Sequence, residues 1–307
     1  MIKGKHRSWL FLPAHKHKFW KKITDLSPDV LVIDLEDSVF WNKKDSARLI
    51  FETQVKEYIP QKSIAVRINP LDSKWGPLDL STSLNLGIVD IVLPKVKGAG
   101  DILRVHEFAK REGFDPQILN IIPIIETTQA FERFDEIATV EGVRAAIFGS
   151  EDLFAEFGLS SNRDSPLFKQ IQVTLSLKAQ KQKLMLIDCA NPVYGPQYCA
   201  EFRKECVYSS EIAFKGKLAI HPNQIEVINS LFEINSFEAV ASQLDKAWDL
   251  VNAMTTTEES VTILDDRFYS IPELRKALYR LAYLEKVAAN NEYSDLKKCI
   301  VNILDRL

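Results

Sequence analysis

Eight short runs rich in Val, Ile and Leu, most of them followed by a helical pattern, constrain this 307-residue chain more than any other feature. The runs are Trp9–Leu12, Val30–Ile33, Ser63–Val66, Ile88–Leu93, Ile121–Ile125, Ala145–Phe148, Met185–Ile187 and Lys217–Ile220. Several are apolar almost throughout, as strands covered on both faces of a parallel sheet must be. Amphipathic stretches lie between them: Lys43–Tyr58, Ile102–Glu112, Ala130–Thr139, Leu167–Lys183 and Gln197–Tyr208. Strands alternating with helices imply βαβ units. Eight of them predict an α/β fold of the (β/α)8 barrel type, with a doubly wound open sheet as the alternative.

The polar residues that end these runs narrow the function. In chain order they are Pro13, Glu36 and Asp37, Arg67 and Asn69, Pro94 and Lys95, Glu126, Glu151 and Asp152, Asp188, and His221. In a barrel they all fall on the C-terminal rim, where active sites are built. A strand end meets water and is often polar for that reason alone, but so many carboxylates with an arginine and a lysine on one rim point to chemistry. After Phe232 the pattern changes to helices over Ser236–Ala253, Ile271–Ala289 and Ser294–Leu307, with Thr255–Thr262 as a polar linker and no strand. The expected organisation is therefore a barrel domain over 1–235 and a helical extension over 236–307. Ser270-Ile-Pro-Glu273 reads as a capping box opening a helix whose stripe is Ile271, Leu274, Leu278, Leu281 and Leu284. Such a stripe needs cover from the barrel or from another subunit.

Composition excludes several classes. The 39 Lys and Arg against 42 Asp and Glu leave a net charge of −3, which lacks the basic footprint of a nucleic-acid binder. The longest apolar runs are strand-sized, so no membrane span is expected. Cys189, Cys199, Cys206 and Cys299 are scattered without a CxxC and read as reduced thiols. Trp9–Leu12 is too short for the apolar core of a signal peptide, and the expectation is a cytoplasmic protein.

Seven segments in order carry a resemblance. They are Arg7-Ser-Trp-Leu-Phe-Leu-Pro13, Val32-Ile-Asp-Leu-Glu-Asp-Ser-Val39, Val66-Arg-Ile-Asn69, Val92-Leu-Pro-Lys-Val96, Ile122-Pro-Ile-Ile-Glu-Thr127, Phe148-Gly-Ser-Glu-Asp-Leu153 and Gly216-Lys-Leu-Ala-Ile-His-Pro-Asn-Gln224. Over residues 7–232 the chain resembles the HpcH/HpaI aldolase / citrate lyase superfamily, most closely its citrate lyase β-subunit-like branch. The resemblance implies a TIM barrel, a Mg2+ site and a homo-oligomer, often a trimer. It also implies a lyase that makes or breaks the bond between an acyl-CoA α-carbon and a 2-oxo acid.

Residue by residue, Glu126 and Asp152 match the metal ligands, and Glu126 is counted with the catalytic set. Arg67 matches the arginine that grips substrate oxygens and stabilises developing charge. The resemblance implies that Asp37 faces the site and helps to position Arg67 or solvent. Lys95 and Lys16 are the further substrate-binding cations, Lys95 in reach of a metal-site acid and Lys16 in the first loop, where relatives hold CoA. On residue type alone, Glu126 is either a ligand or a cap for a helix starting at Thr127, and Arg67 either meets substrate or forms a structural ion pair. His221 reads as a cap.

The chain departs from the pattern at three places. Pro13-Ala14-His15-Lys16 replaces the usual Pro-Gly with an arginine two residues on, which weakens the CoA signal. Gln170-Ile171-Gln172 stands for a Tyr-Ala-Arg, and Lys183 for the glycine that ends that helix. Ser270 stands where many relatives carry an acid, so turnover is expected to be slow unless Asp265 or Asp266 substitutes. The expected function is a Mg2+-dependent carbon–carbon lyase acting on a citryl-, malyl- or citramalyl-like thioester of CoA or of a carrier protein. The alternatives are a pyruvate-type aldolase that uses no thioester and a non-catalytic barrel that binds a carboxylate metabolite.

Overall fold

The computed structural model describes residues 6–232, 237–257, 261–264, 267–288 and 294–305. Eight parallel strands close into a barrel in sequence order. They are β1 Ser8–Pro13, β2 Val30–Asp34, β3 Ile64–Arg67, β4 Asp90–Leu93, β5 Asn120–Ile125, β6 Ala145–Phe148, β7 Met185–Asp188 and β8 Gly216–Ala219. The helices of this part are α1 His17–Trp20, α2 Lys44–Gln54, α3 Gly76–Asn85, α4 Ala99–Arg111, α5 Thr128–Glu132, α6 Phe134–Ala138, α7 Ser150–Glu156, α8 Pro166–Lys181, α9 Cys199–Glu211 and α10 Ile225–Leu231. The fold is the (β/α)8 barrel that the alternation predicts.

The period of two along each strand sorts the side chains into two layers. Trp9, Val30, Val32, Ala65, Val92, Ile122, Ile124, Ala145, Ile147, Ile187 and Leu218 form the cluster inside the barrel. Their neighbours, among them Leu31, Ile33, Val66, Ile91 and Ile125, join the larger layer beneath the helices. Both faces are thus covered, which is why all of β2 and all of β5 are buried. Carried one step past the inner cluster, the same alternation aims Asp34, Arg67 and Glu126 into the barrel mouth.

The chain divides into two compact units that part after Phe232. In the second, α11 Phe237–Thr257, α12 Ile271–Ala288 and α13 Ser294–Leu304 share a core of their own, with Leu250, Val251, Met254, Leu274, Leu281, Leu296 and Ile300 buried. Leu274 and Leu281 of the expected stripe are therefore covered within this unit. The expectation of no strand after Phe232 is corrected. An antiparallel pair, β9 Val261–Leu264 and β10 Arg267–Ser270, precedes α12. Two four-residue strands of mixed composition leave no periodic signal, and each exists only through its pairing with the other. Glu273 accepts both the backbone N–H (2.9 Å) and the hydroxyl (3.0 Å) of Ser270, which holds Ser270 at the start of α12. Asp265 and Asp266 lie outside the described residues. Among the described residues no helix is long and apolar enough to cross a membrane.

Barrel closure depends on close approach of β8 to β1, where the Lys217 N–H donates to the Arg7 carbonyl at 2.7 Å. A Cβ on Gly216 would lie 2.3 Å from the His6 carbonyl oxygen and 2.5 Å from that of Arg7. Gly216→Ala should therefore destabilise the barrel by about 1–3 kcal/mol, as overpacking does. Gly100, whose Cβ position has nothing within 4 Å, is the control. Gly100→Ala should be neutral or stabilising by up to about 1 kcal/mol. Urea denaturation of both variants checks the pair, and equal midpoints would remove the closure argument.

Candidate active site

Asp34 and Arg67 are register partners on β2 and β3 and share the inward phase of the barrel. The guanidinium donates from Nε to Asp34 Oδ1 and from Nη2 to Asp34 Oδ2, both at 2.7 Å. The Asp34 side chain is buried, and its oxygens also accept the backbone N–H groups of Glu36 (2.9 Å) and Ser38 (3.1 Å), which shapes the turn after β2. Arg67 lies 4.7 Å from the centroid of the Phe11 ring, a cation–π contact from β1. Its Nη1 reaches Glu36 Oε2 at 3.2 Å and Asp37 Oδ2 at 3.3 Å.

Burial disfavours the charges of both members of this pair, but their mutual attraction outweighs it. The Asp34 carboxyl is held below its usual range and the Arg67 guanidinium above its own. Glu36 behaves oppositely. Burial pushes its carboxyl up to about 8, with Arg67 opposing and Asp37 reinforcing the rise. The Asp37 N–H donates to Glu36 Oε2 at 3.1 Å, the oxygen that also faces Arg67 Nη1.

On the other side of the mouth, Glu126 at the end of β5 accepts the Lys95 backbone N–H on Oε1 at 2.6 Å. Lys95 turns this N–H inward by adopting φ 53°, a left-handed conformation costly for a lysine. Its ammonium lies 2.6 Å from Asp152 Oδ2 and 3.7 Å from Glu126 Oε1, bridging the two carboxylates. Asp152 stands in the first turn of α7, half exposed, whereas Glu126 is buried. Burial pushes the Glu126 carboxyl up to about 7, against the attraction of Lys95. Gly149, just after β6, makes the room: a Cβ there would come within 2.5 Å of Glu126 Cβ and 2.7 Å of Ile124 Cγ2. The helix after β5 is capped by Thr127, whose Oγ1 accepts the Ala130 N–H at 3.0 Å, which leaves Glu126 to the barrel mouth.

A family model, HpcH/HpaI aldolase/citrate lyase, matches residues 7–222. The chain belongs to this family. The family is an aldolase/lyase family, and this chain is an enzyme of it. A (3S)-malyl-CoA thioesterase of Cereibacter sphaeroides is 28% identical over 289 residues, covering 92% of this chain and 96% of the relative. The citrate lyase subunit beta of Haemophilus influenzae is 29% identical over 233 residues, covering 74% and 79%. A structure of CitE from Mycobacterium tuberculosis in complex with magnesium, acetoacetate and coenzyme A shares the fold, with TM-score 0.70 at 22% identity over 91% of this chain and 99% of that one.

The structure gathers Arg67, Asp37, Lys95, Glu126 and Asp152 of the expected family residues at one mouth. Lys16 stands apart: it is exposed ahead of α1, with its ammonium 5.8 Å from the Phe19 ring centroid, and no hydrogen bond or ion pair joins it to that group among the described residues. Glu151 accepts from Ser161 Oγ at 2.6 Å and is engaged by Arg163 at 3.3 Å. His221 caps the turn after β8, its Nδ1 accepting the Asn223 N–H at 3.2 Å. Asp37 touches Arg67 only at the edge of hydrogen-bond range. Asp34, to which the sequence motifs give no role, does the main positioning. Phe11 and Gly149 likewise carry no role in those motifs. The signals were present, since Asp34 and Phe11 stand in phase with Val32 and Trp9, and a glycine directly after β6 marks a close approach.

Removing one partner of a buried ion pair leaves the other charge uncompensated. Asp34→Asn should therefore cost about 3–5 kcal/mol of stability, read by chemical denaturation. Asp37→Asn, at an exposed carboxylate, should change stability by less than about 1 kcal/mol. Equal losses in the two variants would contradict the assignment of the positioning role to Asp34.

Proposed function

We propose that this enzyme is a Mg2+-dependent lyase that cleaves a citryl-, malyl- or citramalyl-like CoA thioester into an acyl-CoA and a 2-oxo acid, or runs the condensation. The observation that carries the reading is the Lys95 ammonium bridging Glu126 and Asp152 across the mouth from a firmly held Arg67. Two hard carboxylates that already converge on one positive charge fit a Mg2+ ion, which binds through one or two carboxylates and keeps other positions for water and substrate. Glu126 and Asp152 would hold it. When bound, Mg2+ supplies Lewis-acid polarisation of a substrate keto oxygen.

The protein groups do the rest. Asp34 occupies the Nε–Nη2 edge of Arg67 and Asp37 accepts one Nη1 hydrogen, so the second hydrogen of Nη2 and the other of Nη1 are the ones offered to an anionic substrate oxygen. Because this edge is fixed before substrate arrives, it stabilises charge developing on the reacting carbonyl without reorganisation. Burial raises the Glu36 carboxyl to about 8, which disfavours a further negative charge beside the bound acid at neutral pH. The relatives named as a citrate lyase subunit and a malyl-CoA thioesterase support a short hydroxyacyl thioester as substrate. Coverage of 92% of the chain by the thioesterase favours thioester hydrolysis as the second reading.

The deciding experiment incubates the protein and Mg2+ with malyl-CoA, citramalyl-CoA and citryl-CoA. Release of a 2-oxo acid with an acyl-CoA is the expected result. Release of free CoA thiol without a 2-oxo acid would turn the assignment to hydrolysis, and neither product would overturn both readings.

Two binding predictions accompany it. The Glu126 carboxyl, raised to about 7, must ionise to hold a divalent ion, so Mg2+ affinity should increase as pH rises through 7. Near pH 6 binding should release most of one proton. Calorimetry in buffers of different ionisation enthalpy measures this, and Glu126→Gln should abolish both the binding and the release. Arg67→Lys should lose most binding of oxaloacetate at saturating Mg2+, because a point charge cannot replace the planar edge. Wild-type affinity in that variant would take Arg67 out of the site.

A further inference from the structure

We infer that Lys44 is a positioning residue for Arg67, acting through the backbone of the Glu36–Asp37 turn. The inference rests on the reading of Arg67 as the substrate-binding arginine. Lys44 is the first residue of α2, yet its side chain runs inward and is buried. An ammonium has three hydrogens, and here each has an acceptor: Leu35 O at 3.1 Å, Glu36 O at 2.8 Å and Asn69 Oδ1 at 2.6 Å. Two of these acceptors immediately follow Asp34, and the third stands two residues beyond Arg67. The amine therefore ties together the two strand ends that carry the bidentate pair.

The third acceptor is itself held. Asn69 Nδ2 donates to Leu35 O at 2.9 Å and to Asp79 Oδ2 at 2.6 Å, and the Asn69 backbone N–H reaches Asp79 Oδ2 at 3.1 Å. Asp79 belongs to α3 and is fixed from α2 by Arg48 Nη1 at 3.0 Å. The Leu35 N–H donates to the Arg67 carbonyl at 3.0 Å, closing the ladder between the strands. Two helices thus set the spacing of the β2 turn from the β3 end.

Packing alone does not account for a lysine here. Burial lowers its pKa, so the fold bears a cost for an ammonium where a methionine would fill similar space. What the amine achieves is to orient two carbonyls of the turn whose side chains, Glu36 and Asp37, contact Arg67 Nη1 at 3.2 and 3.3 Å. Loss of the clamp frees that turn and alters the edge of Arg67 that faces substrate. The metal-site carboxylates, on β5 and α7, have no hydrogen bond to the clamp among the described residues.

The test uses Lys44→Met, the milder Lys44→Gln, and Phe51→Leu, a core variant on the same helix. Calorimetry measures binding of Mg2+ alone and of oxaloacetate at saturating Mg2+. Lys44→Met should weaken oxaloacetate by about tenfold or more, as misplacement of a binding group does. Lys44→Gln, which keeps two N–H donors, should show a smaller loss in the same direction, and it decides the matter if the methionine variant does not fold. Mg2+ affinity should stay unchanged in both, and Phe51→Leu should lower thermal stability while oxaloacetate affinity is kept. Wild-type oxaloacetate affinity in the folded Lys44 variants, or equal losses of Mg2+ and oxaloacetate, would overturn the inference. Failure of the wild type itself to bind any 2-oxo acid with Mg2+ would overturn the proposed function and this inference with it.

Discussion

A guanidinium withdrawn from water at the mouth of a barrel dictates what must surround it. Left alone there, the Arg67 charge would cost several kcal/mol, and only a partner with matching geometry offsets that. Asp34 is that partner because register places it opposite Arg67 on the adjacent strand, on the same inward phase. The carboxylate must also form the turn that follows β2, since its oxygens accept two backbone N–H groups there. One buried pair therefore ties strand register, turn shape and the orientation of the guanidinium at the barrel mouth to a single arrangement.

A second buried network shows how the same physics can close a site. Lys217 lies in the layer between sheet and helices, 2.5 Å from Asp188 and 2.6 Å from Glu205, with Gln172 and Ser209 completing the shell of Asp188. Asp188, Cys189 and Glu205 bring their donor atoms within 4.8 Å of one another, a spacing that would suit a metal ion. Two cations already fill that space. Arg163 reaches Glu205 at 3.1 Å and the Cys189 sulfur at 3.0 Å, and Lys217 is fully buried. Its charges are satisfied by protein and joined across β7, β8 and α9. The Glu126–Asp152 pair differs because the cation that bridges it among the described residues is a partly exposed lysine on a flexible stem, which can yield to another positive charge.

The backbone contributes as much as the charged groups. Lys95 adopts a left-handed conformation so that its N–H can reach Glu126, and Gly149 gives up a side chain so that the same carboxylate can stand where it does. Strain and a missing Cβ are concentrated at one acid, the one proposed above as a metal ligand.

The sequence by itself determined the barrel, because strands covered on both faces must be apolar throughout and eight such runs leave few alternatives. It also marked the strand ends where Arg67, Glu126 and Asp152 stand, through the order of the family segments. Which groups pair across the mouth was decided only by tertiary structure. Asp34 follows the apolar run Val30–Ile33 in sequence, and its partner lies 33 positions away, fixed by sheet register. Lys44 reads as one of two lysines opening a helix, and nothing local tells which of the two turns inward to three acceptors on other elements. The β9–β10 pair was equally hidden, since each short strand is stable only against the other. Local pattern reports what a segment buries, and only the folded chain decides which charge it must bury it against.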